Sequence, residues 1–417
     1  MCEFISTTIG ECCEILDSFR IPLNEEERNK IPGNIPYYGA NGIQGYIDKY
    51  IFDEDLILIA EDGGNFESYE TRPIAYRISG KSWVNNHAHI LRALKRYNQD
   101  YIFYSLVNKN ILNYIVGGTR SKLNQRELKT MTVSIPQNKS EQTAIAHILS
   151  TVDKAIEQTE KVIAKYKRIK TGLMQNLLTK GIDENGNIRS EKTHKFKDST
   201  LGRIPVEWDV KQLFNCCDII ISNVDKKSNK NEVFVKLCNY LDVYLNEKIT
   251  NKLDFMSATA TQDEINKFSL QIEDVLITKD SETPDDIAVS AVVSDYLINT
   301  LCGYHLALIR PAREKFSGKF LNYLLSHFYY KRYFGANANG STRFGLSLDS
   351  IKSAQVLLPS IDEQKNIVAL IESISKNILY NEDLLKKYQK LKSGLMQNLL
   401  TGKVRVPEEL IEEINKI

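Results

Sequence analysis

The chain has 417 residues, 42% of them hydrophobic and 26% charged, with a formal net charge of +1. That length allows two or three domains with cores of their own. The composition excludes a disordered chain and, with no apolar run long enough to cross a bilayer, a membrane-spanning one. Near-neutral charge excludes a polycationic nucleic-acid binder, so any basic surface must be local and balanced by acids elsewhere.

The opening stretch, MCEFISTTIGECCEIL, has neither the basic flank nor the continuous apolar run of a secretory signal, and seven cysteines is an odd number for a disulfide framework. A reducing cytoplasm is expected. Cys12-Cys13, and later Cys216-Cys217, lack C-x-x-C spacing and are expected to fill cores. Next comes GNIPYYGANGIQGYID, from Gly33 to Asp48, read as loop and turn. It offers Tyr37, Tyr38, Asn41 and Gln44 among glycines; amide side chains can pair with base edges, and glycine lets backbone approach a ligand. Asn34 to Tyr37 resembles the N-P-P-Y element of DNA amino-methyltransferases, but Ile35 replaces a proline and no glycine-rich cofactor loop accompanies it.

DLILIAED and AHILRAL read as short buried strands, and Gln99 to Leu112 as a helix. GGTRSKLNQRELK, from Gly117 to Lys129, then sets small residues beside Thr119, Arg120 and Lys122. Amides, a hydroxyl and cations in such a loop suit phosphate oxygens.

From Ser140 to Thr179 there is no proline, and apolar residues recur at Ile145, Leu149, Val152, Ile156, Ile163, Tyr166, Ile169, Leu173 and Leu177. Alternate spacing of four and three marks a coiled-coil seam. Pro136 precedes the helix and Ser140 is the expected N-cap. A helix of forty residues extends roughly 60 Å and needs a partner for its apolar stripe. Gly172, inside it, costs on the order of 1 kcal/mol relative to alanine, so either the helix breaks there or another surface approaches closely. Gly181 to Trp208 is polar and turn-rich and reads as an exposed linker.

After the linker the chain begins again. Tyr166 recurs as Tyr388 and Glu141-Gln142 as Glu363-Gln364 at an offset of 222; Thr119-Arg120 recurs as Thr342-Arg343 at 223; LILIAED and HAHILR recur as DVLITKD and HLALIR at 218. The phrase GLMQNLLT, beginning at Gly172, returns unchanged at Gly394. The second stripe runs through Ile367, Ile371, Ile374, Ile378, Leu385, Tyr388, Leu391, Leu395 and Leu399, with Asp362 as expected N-cap and Asn381 in the seam position of Thr159. A polar seam residue can fix register. Ser317 to Phe334 reads as a helix, GSTRFGLSL (Gly340 to Leu348) as the second Thr-Arg loop, and DKKSNKNE offers Lys226, Lys227 and Lys230. Two antiparallel helices about a pseudo-two-fold axis are the natural packing of such copies. Gly172, Leu173 and Met174, with Gly394, Leu395 and Met396, are the expected docking residues for one partner used twice.

Enzymatic constellations are mostly missing. There is no G-x-x-x-x-G-K-[ST] loop and no G-x-G-x-x-G after a strand, so neither ATP nor a dinucleotide is implied. Asp62 and Asp280 recur beside a second acid as a metal nuclease would require, yet they end strands where turn residues belong. His87 and His305 recur, but His89 faces Ala307, which favours packed histidines over metal ligands.

Taken in order, IPYYGANGIQGYID, the two Thr-Arg loops, Pro136 and Pro359 leading into Glu-Gln, the repeated GLMQNLLT, and STLGRIPVEW opening the second half resemble the DNA-specificity subunit of a Type I restriction-modification enzyme, across essentially the whole chain. The resemblance implies an α+β chain: two mixed α/β target-recognition domains separated by two long antiparallel helices forming a coiled coil, with a pseudo-two-fold repeat. The expected boundaries are 1–138 and 205–360 for the domains, 139–180 and 361–404 for the helices, and 181–204 for the linker. It implies a non-catalytic subunit that reads a bipartite, asymmetric double-stranded DNA target, its helices setting the spacer. Two methyltransferase subunits and restriction (translocase/nuclease) subunits are the implied partners, and S-adenosylmethionine, ATP and Mg²⁺ belong to those partners. DNA contacts carry over to Tyr37, Tyr38, Asn41, Gln44, Thr119, Arg120, Lys122, Thr342 and Arg343; Lys226, Lys227 and Lys230 rest on charge alone. A stand-alone methyltransferase or nuclease, or a coiled-coil adaptor that ignores DNA, are the competing readings.

Overall fold

The computed structural model describes residues 3–117 and 121–416. The chain divides into two compact units, Met1–Lys161 with Glu382–Ile417, and Val162–Asn381. Both divisions fall inside a long helix, Lys139–Lys180 or Ile361–Leu399. Each unit therefore holds the start of one helix and the end of the other, where the sequence pattern sets whole helices apart from the domains. The reason is burial: the two halves of each stripe belong to different cores.

In the first unit the strands Cys13–Ile15, Ala88–Ala93, Leu56–Ala60 and Ala75–Ile78 lie in that order in one antiparallel sheet. Every residue of Leu56–Ala60 is buried, because the strand alternates between two cores. Ile57 and Ile59 face the core that takes in the helix Gln99–Leu106, while Leu56 and Leu58 face a smaller cluster with Ile78 and Ile90. The larger core also takes in Ala144, Ile145 and Leu149 of the first long helix and Leu399 of the second. Asp153 pairs with Lys392 at 2.7 Å and Glu141 with Arg405, so the two segments run antiparallel. GNIPYYGANGIQGYID, read as loop, is instead a hairpin of Pro32–Gly39 and Gly42–Ile47; tyrosine and isoleucine at alternate positions give its strands a face to bury. The helix expected to reach Leu112 ends at Leu106.

The second unit repeats the plan with the same register. Cys217–Ile221, Leu306–Pro311, Val275–Thr278 and Ser290–Val293 take the order of their counterparts, extended by Lys248–Ile249. Val275 stands opposite Ile309 as Ile57 stands opposite Leu91, and Cys217 opposite Pro311 as Cys13 opposite Ala93. Alternation again divides the strand: Val275 and Ile277 join the core containing Leu177, Ile367 and Ile371, and Leu276 joins the other. The helix read over Ser317 to Phe334 is two helices, Gly318–Leu325 and Phe328–Asn337, parted where His327 caps the second by accepting from Tyr329 N. The linker is not free: Phe196–Ser199 and Gly202–Pro205 form a hairpin, and Ile182 and Arg189 are buried.

Both long helices begin in the same way. Asn138 caps the first by accepting from Ser140 N at 2.9 Å, and Ser360 the second by accepting from Glu363 N at 3.2 Å. The caps thus precede the expected Ser140 and Asp362, which lie in the first turns. Gln142 accepts from Asn98 N at 2.8 Å and donates to the Pro136 carbonyl, tying the long helix to the helix it packs on. Gln364 does the same with Ser317 N and the Pro359 carbonyl. The glutamate just before each of these glutamines grips an arginine beyond the end of a long helix: Arg405 donates to both oxygens of Glu141 at 2.7 and 2.5 Å, and Arg189 donates to both oxygens of Glu363. Gly181, at φ +63°, is needed there because a Cβ would strike Glu363 and Trp208. The seam residues Thr159 and Asn381 each bond back to the carbonyl four residues earlier in their own helix. Among the described residues no helix is long and apolar enough to cross a membrane.

Candidate functional site

Landmarks that the sequence presents separately meet in each unit. Asp62 ends the buried strand and lies 2.7 Å from His87 Nδ1; Asp280 lies 2.6 Å from His305 Nδ1. Both histidines are partly exposed, so these are hydrogen-bonded surface pairs. The residues that follow each Thr-Arg pair return to the same place, with the backbone of Asp62 bridged to that of Lys122 and the short strand Asp280–Ser281 paired with Phe344–Gly345.

Around the first pair, Asn41 donates to the Gly63 carbonyl at 2.8 Å, and Gln44 accepts from Asn85 Nδ2 at 3.1 Å. Both are exposed, and their partners fix them in place. Lys122 is half-buried and paired with Glu61 at 2.8 Å. Tyr37 is a correction: its ring is buried with Ile47 and Trp83, and its hydroxyl bonds to the Leu23 backbone, leaving no face for DNA. Tyr38 is half-buried, 6.0 Å from the Tyr76 ring, and burial followed by Tyr46 pushes its phenol up. Thr119 and Arg120 lie outside the described residues.

Behind this face Asp17, Glu61 and His89 cluster closely enough to hold a metal. The surroundings are wrong for one, because Arg20 and Lys122 already neutralise the acids. His89 Nδ1 is 2.6 Å from Asp17 and Nε2 is 2.7 Å from the Leu123 carbonyl, so both ring nitrogens are engaged by the protein. Burial alone would raise the Asp17 carboxyl, but the His89 bond and charge, with Arg20, hold it below its ordinary range. Glu61 is likewise lowered, with Lys122 and Arg20 outweighing burial. The network secures the strand residue Leu123 that follows the Thr-Arg loop. The second half, with Ala307 at that position, lacks it.

In the second unit the pair borders a cleft of about 690 Å³. The rings of Tyr240 and Tyr244 stack at 5.5 Å, and the Tyr304 ring meets His305 edge-on at 4.2 Å. Arg343, from the second Thr-Arg loop, lines the cleft beside Asn339, and Thr342 next to it is exposed. Tyr304 N donates to the Val224 carbonyl, which brings the lysine loop to the rim. Lys226 and Lys230, further along that loop, are exposed, and Lys227 lies 4.0 Å from Asp225.

The glycines of the repeated phrase do not break their helices, and a Cβ on Gly172 or Gly394 would meet nothing within 4 Å. Leu173 and Met174, and Leu395 and Met396, are partly buried against their own cores and partly open to solvent. Among the exposed apolar residues of the two long helices, Ile169 and Leu391 each lie one turn before a glycine of the phrase and therefore on its face. The apolar periodicity places both in the seam; their shared offset of 222 was the available signal.

A sequence profile of the Type I restriction modification DNA specificity domain matches residues 3–167 and again 205–389, one match per half, and the chain belongs to that family. Among relatives, it is 35% identical over 144 residues to a Haemophilus influenzae protein bearing the name of a type I restriction enzyme specificity subunit, a match spanning 34% of this chain and 36% of that relative. It is 26% identical over 312 residues to the Type I restriction enzyme MjaVIII specificity subunit of Methanocaldococcus jannaschii, covering 73% of this chain and 70% of that one. The crystal structure of a Type I restriction-modification S subunit from M. genitalium shares the fold, with TM-score 0.60 at 15% identity over 96% of each chain.

Proposed function

We propose that this chain is the sequence-reading subunit of a Type I restriction-modification complex. It recognises a bipartite, asymmetric double-stranded DNA target and delivers methyltransferase and restriction subunits to it. The observation that carries this reading is the repeat itself: one register of strands and one Asp-His landmark in each unit, bordered by reading faces of different composition. Asn41 and Gln44 with Lys122, and in the repeated loop Thr119 and Arg120, serve one half-site. Thr342, Arg343 and the loop lysines Lys226, Lys227 and Lys230 serve the other. Fixed amide side chains favour base edges, while long-stemmed cations favour phosphates.

The unaltered GLMQNLLT segments, with open glycines and exposed Ile169 and Leu391, suit one kind of partner docked twice, the methyltransferase subunits. The chain itself is non-catalytic in this account; S-adenosylmethionine, ATP and Mg²⁺ act on the partners, and the setting is the cytoplasm. Selection from randomised duplexes should return two different short motifs at a fixed spacing. The purified chain alone should neither methylate with S-adenosylmethionine nor cut with Mg²⁺, and adding the partner subunits should restore activity. Methylation or cleavage by the chain alone, or a selection without sequence preference, would refute the proposal.

A further inference from the structure

We propose that the cleft of the second unit reads a G·C base pair, Arg343 donating to the guanine edge and Glu282 accepting from the cytosine amino group; this rests on the DNA-reading function above. Five charged or titratable side chains line the cleft besides its tyrosines, and three are engaged. Asp280 is held by His305 at 2.6 Å and Lys279 at 2.7 Å, and Asp286 accepts from the Tyr244 hydroxyl at 2.8 Å. Glu282 and Arg343 are both exposed, and neither has a hydrogen bond or ion pair to a described residue, including each other. Two opposite charges that line one cleft without neutralising each other are suited to a ligand presenting both acceptors and a donor.

Phosphate presents only acceptors and is repelled by Glu282. In the major groove a G·C pair offers guanine O6 and N7 to a guanidinium fork and the cytosine N4 amino group to a carboxylate. An A·T pair sets the adenine amino group beside N7, which a donor fork cannot use. The stacked tyrosines and Tyr304 wall the cleft with apolar surface, which strengthens such charged hydrogen bonds by lowering the local dielectric. With Asp280 in the place of Asp62, Glu282 falls where the first half has Gly64. The carboxylate is thus peculiar to the second half, and the reading is confined to one half-site.

The test is selection from randomised duplexes by the full chain and by Arg343→Ala and Glu282→Ala, both exposed positions. The unaltered chain should return a G·C pair in one half-site. Each variant should lose discrimination at that pair by on the order of 10- to 100-fold, with the other half-site unchanged. Consensus motifs identical to the unaltered chain's would overturn the proposal, as would an unaltered consensus without a G·C pair. Uniform weakening by Arg343→Ala, with a salt slope smaller by about one, would assign it to phosphate. If the unaltered chain returns no motif at all, the DNA-reading function fails and this proposal with it.

Discussion

Replacing Arg189 with alanine should strip the charge partner from Glu363 and leave that carboxylate buried. Both side chains are only 10% exposed, so this is a buried pair rather than a surface one. Breaking such a pair from one side costs roughly 3–5 kcal/mol, against about 1 kcal/mol or less at the surface. Two donors remain, Trp208 Nε1 at 3.1 Å and Ile182 N at 3.0 Å, which places the expected loss near the lower end, about 3 kcal/mol. Trp208 is fully buried and touches the affected carboxylate, so its fluorescence reports the event directly. In a Trp83→Phe background, urea unfolding followed at Trp208 should shift by about 1 M for a slope near 3 kcal/mol per M. Arg189→Ala combined with Glu363→Gln should recover part of the loss, because no charge is stranded and the amide oxygen keeps one of the two donors, which reach different oxygens of Glu363. A shift corresponding to less than about 1 kcal/mol, or no recovery in the double variant, would refute the claim that this latch closes the second unit.

Asp17 and Glu61 are held below their ordinary values of 3.8 and 4.5. The unfolded chain therefore takes up protons first as pH falls, and the first unit should lose stability from about pH 4.5 downward through the folded-state values. Asp17→Asn should lower stability at neutral pH and flatten that acid limb, read from Trp83 in a Trp208→Phe background; an unchanged acid limb would refute the linkage. Gln364→Leu strands Ser317 N and the Lys315 and Pro359 carbonyls; amide exchange at the start of the second long helix should accelerate on the order of 100-fold or more at 1–3 kcal/mol per stranded group, and unaltered protection would count against the clamp. A Cβ on Gly172 or Gly394 meets nothing within 4 Å, so Gly172→Leu with Gly394→Leu should preserve folding while weakening assembly with the methyltransferase subunits; intact assembly would dismiss these faces as docking sites. Deleting one heptad from both helices removes about 10 Å, or roughly three base pairs of spacer, and an unchanged spacer would contradict the ruler.

The periodic and duplicated features were legible in the sequence. The strand pairs around Ile57 and Val275 and their offset of 218 reappear as register in the sheets, because burial of a repeated pattern admits one solution. The hairpin from Pro32 to Ile47 was not, since its glycines and prolines read as turn while its alternate tyrosine and isoleucine were buried by partners far along the chain. Tyr37 looked like a contact for the same reason. Burial depends on Trp83, 46 positions away, which local composition does not announce. The latches were hidden by spacing: Arg189 follows Gly181 by eight residues while Arg405 follows Gly402 by three, so no offset linked them. Glu282 escaped notice because exposed acids are common, and only the engagement of its neighbours in the cleft sets it apart.

The central claim is that two unlike half-sites are read at a set distance. Equilibrium binding of the full chain to its selected duplex, to duplexes with either half scrambled, and to one with a single base pair added to the spacer tests it most directly. Each change should weaken binding at least tenfold, the spacer insertion included. Indifference to the spacer, or to the scrambling of one half, would contradict the account.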